Sequence, residues 1–279
     1  MIIALFPNAI KKNSGDISRG IREFLERHGV TVVADDETAA EIGAKSLSSV
    51  EPSSIDFLVS LGGDGTILRL LHHNPQLRAP ILAINLGSLG FMADIPVDEI
   101  YPSLKNLLEG SYRIRTRMAM EGRIGSAGTF AVNDIVIHRA RNQGLIDLAI
   151  YVDGKYLNTF SSDGIIIATP NGSTAYSLAA GGPILTPELN AFIITPISPH
   201  TISNRPIVLL PEVEICIEYI SPREAVEVTF DGFPDVLMDN GETLRITRSE
   251  RQFKLVTLPN HDYYSTLRTK LGWAGRLRT

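Results

Sequence analysis

Leu61-Gly62-Gly63-Asp64-Gly65-Thr66 sets three glycines around a single carboxylate. Ile55-Asp56-Phe57-Leu58-Val59-Ser60 ahead of it reads as a buried strand, and Ile67-Leu68-Arg69-Leu70-Leu71 behind it as the first turns of a helix. A strand, a glycine-rich turn and a helix start make an anion cradle. Glycines let the backbone approach the ligand, and the first helical N–H groups point at it with the positive end of the helix dipole. Asp64 is out of place in a turn that only binds phosphate, because its charge repels the ligand. It needs a task, either holding a metal or removing a proton. Together these features point to phosphoryl transfer onto a hydroxyl. Arg69, one turn into the helix, is placed to neutralise a phosphate, with a solvated surface role as the competing assignment.

A second run with chemical potential starts at Asp163-Gly164. The apolar strand Ile165-Ile166-Ile167 leaves through Pro170 into Asn171-Gly172-Ser173-Thr174-Ala175-Tyr176-Ser177 and on past Ala179 to Gly181-Gly182-Pro183. Small hydroxyl side chains and open N–H groups suit a polyhydroxylated, phosphorylated ligand, and the Tyr176 ring can pack on a base. A Gly/Ser-rich turn between sheets has the same composition. Asn133-Asp134 interrupts the apolar run from Phe130 to Ile137, otherwise read as one strand, and marks a ligand contact, a bulge or an edge.

The elements that carry these residues change character along the chain. Ile2–Phe6, Val30–Ala34, Asp56–Ser60 and Ile81–Ile84 read as strands, and they alternate with helices. One helix has Ile17, Ile21, Phe24, Leu25 and His28 on one face and Gly29 at its end, and another spans Val97 to Leu108. Apolar strands separated by helices imply a parallel sheet covered on both faces. From about Tyr112 strands follow one another. They include Leu148–Val152 and Lys155–Leu157 around an Asp153-Gly154 hairpin turn, then Ile207–Leu210, Glu214–Tyr219, Val226–Phe230 and Thr243–Ile246. This reads as a β-sandwich, followed by a last helix with Tyr263, Leu267 and Leu271 on its docking face.

With both motifs in place the chain resembles the NAD kinase family of the bacterial type. The resemblance rests on Gly62–Thr66, Asn85-Leu86-Gly87-Ser88-Leu89-Gly90-Phe91, Asn133-Asp134, Asp163-Gly164, Asn171 to Pro183 and the tail Thr266–Trp273, in that order over nearly the whole chain. It implies a Rossmann-like α/β domain at 1–115 that binds nucleotide, with 256–279 returning to it. A β-sandwich domain that binds NAD would span 116–255, the two meeting at a cleft. It also implies phosphorylation of the adenosine ribose 2′-hydroxyl of NAD by ATP, giving NADP.

By the same resemblance Asp64 is the general base, and Gly62, Gly63, Gly65 and Thr66 hold phosphates. Asn133 and Asp134 bind ribose hydroxyls, and Asp163 contacts the nicotinamide end. Thr174, Ala175, Tyr176 and Ser177, with Ala179 in the same run, line the adenosine part, and Phe91 borders it. A homodimer or homotetramer is implied. One departure is visible: relatives often carry an amide two residues after Asp231, where this chain has Phe233. Lipid and sugar kinases share the glycine-rich turn, and a non-catalytic dinucleotide sensor would keep Asn133, Asp134 and Tyr176 without needing Asp64.

Other classes lack their signatures. There is no G-x-x-x-x-G-K-[ST] loop, no G-x-G-x-x-G fingerprint and no G-x-S-x-G elbow. His72 and His73 are adjacent and point apart on a helix, and His138, His200 and His261 have no ligand spacing, so no protein-held metal is expected. Mg²⁺ or another divalent ion is expected to arrive with ATP. The net charge of −5 comes with scattered Lys and Arg, which argues against nucleic acid as a partner. The one cysteine, Cys216, reads as a small core residue. Met1–Pro7 has no basic leader and no run reaches membrane-span length, so a cytoplasmic protein without a membrane partner is expected.

Overall fold

The computed structural model describes residues 1–200, 205–259 and 261–273, with only the backbone described at 234 and 235. The expected returning segment 256–279 therefore has its last six residues, and residue 260, outside the described residues. The chain divides into two compact units, Met1–Arg115 with Lys254–Thr279, and Thr116–Phe253. Among the described residues no helix is long and apolar enough to cross a membrane.

The first unit alternates strand and helix: β1 (Ile2–Pro7), α1 (Ser14–Arg27), β2 (Thr31–Ala34), α2 (Asp36–Ile42), β3 (Lys45–Ser46), β4 (Phe57–Gly62), α3 (Asp64–His73), β5 (Ile81–Asn85) and α4 (Ile100–Leu108). The strands pair in parallel in the order β5-β4-β1-β2-β3. Every residue of β4 and β5 is buried, so both sheet faces need cover. On one face Ile21 and Leu25 of α1 and Leu104 and Leu107 of α4 supply it, packing with Ile3, Leu5, Val32, Val59 and Leu82, while α3 packs on β4 and β1 with Ile67, Leu70 and Leu71 buried. The chain order reverses between β1 and β4. Loops leaving the carboxyl ends of these strands diverge there, which opens the usual ligand crevice of such sheets. The helix expected from Val97 begins as a 3₁₀ turn over Val97–Glu99 before α4.

Among the described residues the second unit is all-β apart from a 3₁₀ turn over Gly172–Thr174 and one short helix. Its elements are β6 (Arg113–Ile124), β7 (Ala127–Ala131), β8 (Asp134–His138), β9 (Ile146–Val152), β10 (Lys155–Ser162), β11 (Gly164–Ala168), α5 (Tyr176–Ala179), β12 (Phe192–Ile197), β13 (Ile207–Leu209), β14 (Ile215–Tyr219), β15 (Val226–Phe230), β16 (Phe233–Met238) and β17 (Thr243–Thr257). One sheet runs β10-β9-β14-β17, with β6 beside β17 and β7 beside β6. The other is antiparallel in the order β13-β12-β11-β8-β15-β16. Alternate residues of both sheets share one core: Ile135, Ile165 and Phe192 from one side, Ile150, Ile217 and Leu244 from the other. This is a sandwich.

Asp153 (φ 49°) and Gly154 (φ 73°) form the expected tight turn between β9 and β10. Two details differ from expectation. The run from Phe130 to Ile137 is two strands, because the chain turns at Val132-Asn133 between β7 and β8. Cys216 is not in the core. It alternates with buried Ile215 and Ile217 on β14, so it faces outward, between Glu214 and Arg245.

The chain returns to the first unit through the end of β17, where Leu255 pairs in parallel with Ile81. It finishes in α6 (Tyr263–Leu271). Asp262 caps α6 by accepting the N–H groups of Tyr264 and Ser265, and Gly272 ends it in the left-handed region.

Candidate active site

The turn between β4 and α3 is held by Thr66. Its Oγ1 accepts the Gly63 N–H at 3.3 Å, and its own N–H donates to the Gly63 carbonyl at 2.9 Å. Asn8 Nδ2 (3.3 Å) and Arg69 Nη2 (3.5 Å) approach the same hydroxyl. A Cβ on Gly62 would overlap that oxygen, so this position requires glycine. The arrangement leaves the first helical N–H groups facing outward, as at any helix start. Beside them lies a cavity of about 550 Å³ lined by residues including Asn8, Asp35, Thr66, Arg69, His73 and Asn74, at the carboxyl end of β1.

Asp64, the first residue of α3, is held by the loop that follows β5. The Phe91 N–H donates to Oδ2 at 2.8 Å, and the Met92 and Ala93 N–H groups donate to Oδ1 at 3.0 and 2.8 Å. Asn85 shapes this loop. Its Nδ2 donates to the Ser88 and Ala93 carbonyls, and its Oδ1 accepts the Gly87 N–H at 2.7 Å. A Cβ on Gly90 would overlap Asp64 Oδ1, so the close approach requires glycine there as well. The run Asn85–Phe91 is thus the socket for the carboxylate. A carboxylate oxygen offers two lone-pair positions. Oδ1 has both occupied, and Oδ2 keeps one open. Phe91 serves the site through its backbone, while its ring stands 6.5 Å from that of Tyr263.

In the second unit a cavity of about 640 Å³ gathers Asn133, Asp134, Asp163, Ala175 and Tyr176 with His138, Arg139, Asp231 and Gly232. The turn that breaks the strand at Val132-Asn133 is organised by Asp231. In the left-handed region at φ 53°, this residue accepts the N–H groups of Val132 (2.9 Å), Asn133 (2.7 Å) and Asp134 (3.2 Å). From the other side Thr169 Oγ1 donates to the Val132 carbonyl at 2.6 Å, and Asn171 Nδ2 to Asn133 Oδ1 at 2.6 Å. Gly172 packs against the Asn133 carbonyl where a Cβ would not fit.

Burial and then the charge of Asp231 push the Asp134 carboxyl up to about 7, against the backbone hydrogen bond it takes from Tyr176. Near neutral pH it is therefore present in both forms, able to accept from a sugar hydroxyl or donate to one. Further along the cavity Asp163 pairs with Arg139 at 3.1 Å. His138 Nδ1 accepts the Ala140 N–H, and its Nε2 lies 3.3 Å from Glu227.

The structure therefore brings Asn133, Asp134, Asp163, Ala175 and Tyr176 to one cavity, and Thr66 and Arg69 to another. Thr174, Ser177 and Ala179 line neither. Thr174 Oγ1 bonds the Asn171 carbonyl, Ser177 Oγ is fully buried against Thr195 Oγ1 at 2.9 Å, and Ala179 is exposed on α5. Phe233 is absent from the lining of the 640 Å³ cavity, although its neighbours Asp231 and Gly232 belong to it. Asp231, His138 and Arg139 were not readable as site residues. The Asp231-Gly232 pair was the one local signal, as a dipeptide suited to positive φ.

A parallel α/β unit whose glycine turn carries a carboxylate, with a sandwich unit bearing an acidic, hydroxyl-suited cavity, defines a phosphotransferase of a class distinct from the P-loop kinases. Two family profiles match the chain: the ATP-NAD kinase N-terminal domain over residues 3–112, and the ATP-NAD kinase C-terminal domain over residues 132–258. The chain belongs to the NAD kinase family, and it is an enzyme that phosphorylates NAD with ATP to give NADP. It is 56% identical over 278 residues to the NAD kinase of Protochlamydia amoebophila, covering 99% of this chain and 100% of that one. It is 39% identical to the NAD kinase of Geotalea daltonii, covering 98% and 99%. Among solved structures, yeast NADH kinase complexed with NADH superposes with a TM-score of 0.87 at 28% identity, covering 100% of this chain and 89% of that one. The Archaeoglobus fulgidus NAD kinase in complex with ATP superposes with a TM-score of 0.73 at 28% identity, covering 98% and 99%.

Proposed function

We propose that Asp64 is the general base that takes the proton from the adenosine ribose 2′-hydroxyl of NAD. The observation that carries this reading is the single open lone-pair position on Oδ2, in a carboxylate whose other contacts are three rigid backbone donors. The 2′-oxygen then forms its bond to the γ-phosphorus of ATP. The bond to the bridging oxygen breaks, and ADP leaves with that electron pair. Gly62, Gly63, Gly65 and Thr66 hold phosphates on the helix start, and Arg69 offsets their charge from the rim of the 550 Å³ cavity. Positioning and charge stabilisation supply most of the rate in such transfers.

Asn133 and Asp134 hold ribose hydroxyls, Asp163 meets the nicotinamide end, and Ala175 and Tyr176 border the adenosine. Thr174 and Ser177 contribute by shaping that segment through their own bonds, and Ala179 by the turn of α5 it belongs to. The divalent cation travels with the ATP phosphates. Among the described residues no three His, Cys, Asp or Glu side chains are grouped to ligate it independently. The active form is a homo-oligomer working in the cytoplasm.

Purified protein given NAD and Mg-ATP is expected to form NADP, read as reduction by an NADP-specific dehydrogenase. Asp64→Asn is expected to lower kcat at least about a hundredfold with NAD binding kept. Full activity in that variant removes Asp64 from the base role.

A further inference from the structure

The loop that holds Asp64 is rich in glycine, with Gly87 and Gly90 in its turn, so its own backbone gives little stiffness. Asn85 braces it from within, and the C-terminal segment grips it at both ends. At one end Lys270 Nζ donates to the Leu89 carbonyl at 2.6 Å and lies 4.9 Å from the centre of the Phe91 ring. A hydrogen bond from an ammonium group is charge-assisted and stronger than a neutral one. At the other end His261 Nδ1 lies 3.3 Å from Asp94 Oδ2, and its Nε2 3.3 Å from Glu99 Oε2. Between these two grips sit residues 91–93, whose N–H groups hold the carboxylate. The segment has anchors of its own: the Asp262 cap, buried Leu267 and the closing turn at Gly272.

We propose that Lys270 and His261 are positioning residues for the phosphoryl transfer: they fix the 89–94 loop from both ends and so set the direction of the open lone pair on Asp64. Neither side chain hydrogen-bonds Asp64 or lines the cavity beside the glycine turn. The effect on chemistry passes through the loop. The proposal rests on the reading of Asp64 as the base.

The test uses the full chain with Lys270→Met, which keeps the aliphatic stem, Lys270→Arg, which restores a cationic donor, and His261→Gln. Lys270→Met is expected to lower kcat about tenfold, as a small misplacement of a reacting group does. KM for NAD and for ATP should stay within about twofold, and the melting temperature within about 3 °C. Lys270→Arg should recover most of the loss. His261→Gln should likewise lower kcat from the other end of the loop, with KM for NAD and for ATP kept. In an Asp64→Asn background, Lys270→Met should have no further effect on single-turnover rate.

Unchanged kcat in both Lys270→Met and His261→Gln overturns the proposal, as does a loss that tracks melting temperature and KM together. If Asp64→Asn is inactive while both variants keep full kcat, the positioning role alone fails. If Asp64→Asn is itself fully active, the base reading fails and the positioning role with it.

Discussion

Asp64 and Asp134 are both carboxylates beside a turn, and their surroundings differ. Asp64 has three backbone donors and a fixed orientation. Asp134 is buried, faces the charge of Asp231 and takes a backbone bond from Tyr176, which leaves its carboxyl at about 7. In the unfolded chain the same group titrates near 3.8. Between these values the folded protein holds the proton and the unfolded chain has lost it. Stability therefore falls as pH rises from about 4 to about 7, by a few kcal/mol in order of magnitude, and is flat with respect to this group above that. Asp134→Asn is expected to remove this slope and to raise the melting temperature at pH 8 relative to the parent. Thermal melts of both proteins at pH 5 and pH 8 check it, and an unchanged slope rejects the account. The position of Asp64 was legible because its signal is local: a carboxylate among glycines at a helix start. Asp231 was not, because its work is done 98 residues away, on the N–H of Asn133. No window of sequence displays such a contact.

The hairpin at Asp153-Gly154 and the helix ending at Gly29 were readable because their signals are dihedral preferences within a few residues. Strand β12 was not. It contains Pro196, and a proline argues for an edge, yet β12 lies between β11 and β13. β6 begins with Arg113, Ile114 and Arg115, and those charges hide its continuity as a strand. The sequence signal of the last segment is the docking face of α6, and His261 before it has no ligand spacing to flag it. The structure instead gives it two carboxylate neighbours, and Arg113 and Arg115 line the cavity that His261 adjoins. The hydrogen bond and charge of Asp94, with the charge of Glu99, raise the His261 pKa above its ordinary 6.5, against the effect of burial. A raised histidine binds its proton more tightly in the folded state. Its stabilisation is complete below about 6.5 and is lost as pH rises through the higher folded value. The difference in melting temperature between the parent and His261→Gln should therefore be largest near about pH 6 and shrink by about pH 9. A difference that grows with pH contradicts this.

The change from alternating strands and helices to consecutive strands was plain in the sequence, because covered parallel strands are apolar throughout and sandwich strands alternate. The strand order within each sheet was not, since neighbours such as β8 and β15 come together from distant parts of the chain. That order decides which strands end a sheet. In the six-stranded sheet the ends are β13 and β16, and both expose apolar side chains: Val208 is 46% exposed and Leu237 66%, with Leu210 beyond β13 at 72%. Unpaired edges with apolar side chains invite association, and a second copy of the same chain is the commonest way to cover them. Light scattering on the eluting protein should give a mass that is a small multiple of the chain mass. Leu237→Glu places a charge at the exposed edge while leaving the buried face of β16, where Met238 points inward, untouched. It should lower that mass toward a single chain, with the circular dichroism of the sandwich unchanged. A parent that elutes as a single chain would remove the oligomer from the functional reading. A Leu237→Glu protein of unchanged mass would move the interface to another face of the molecule.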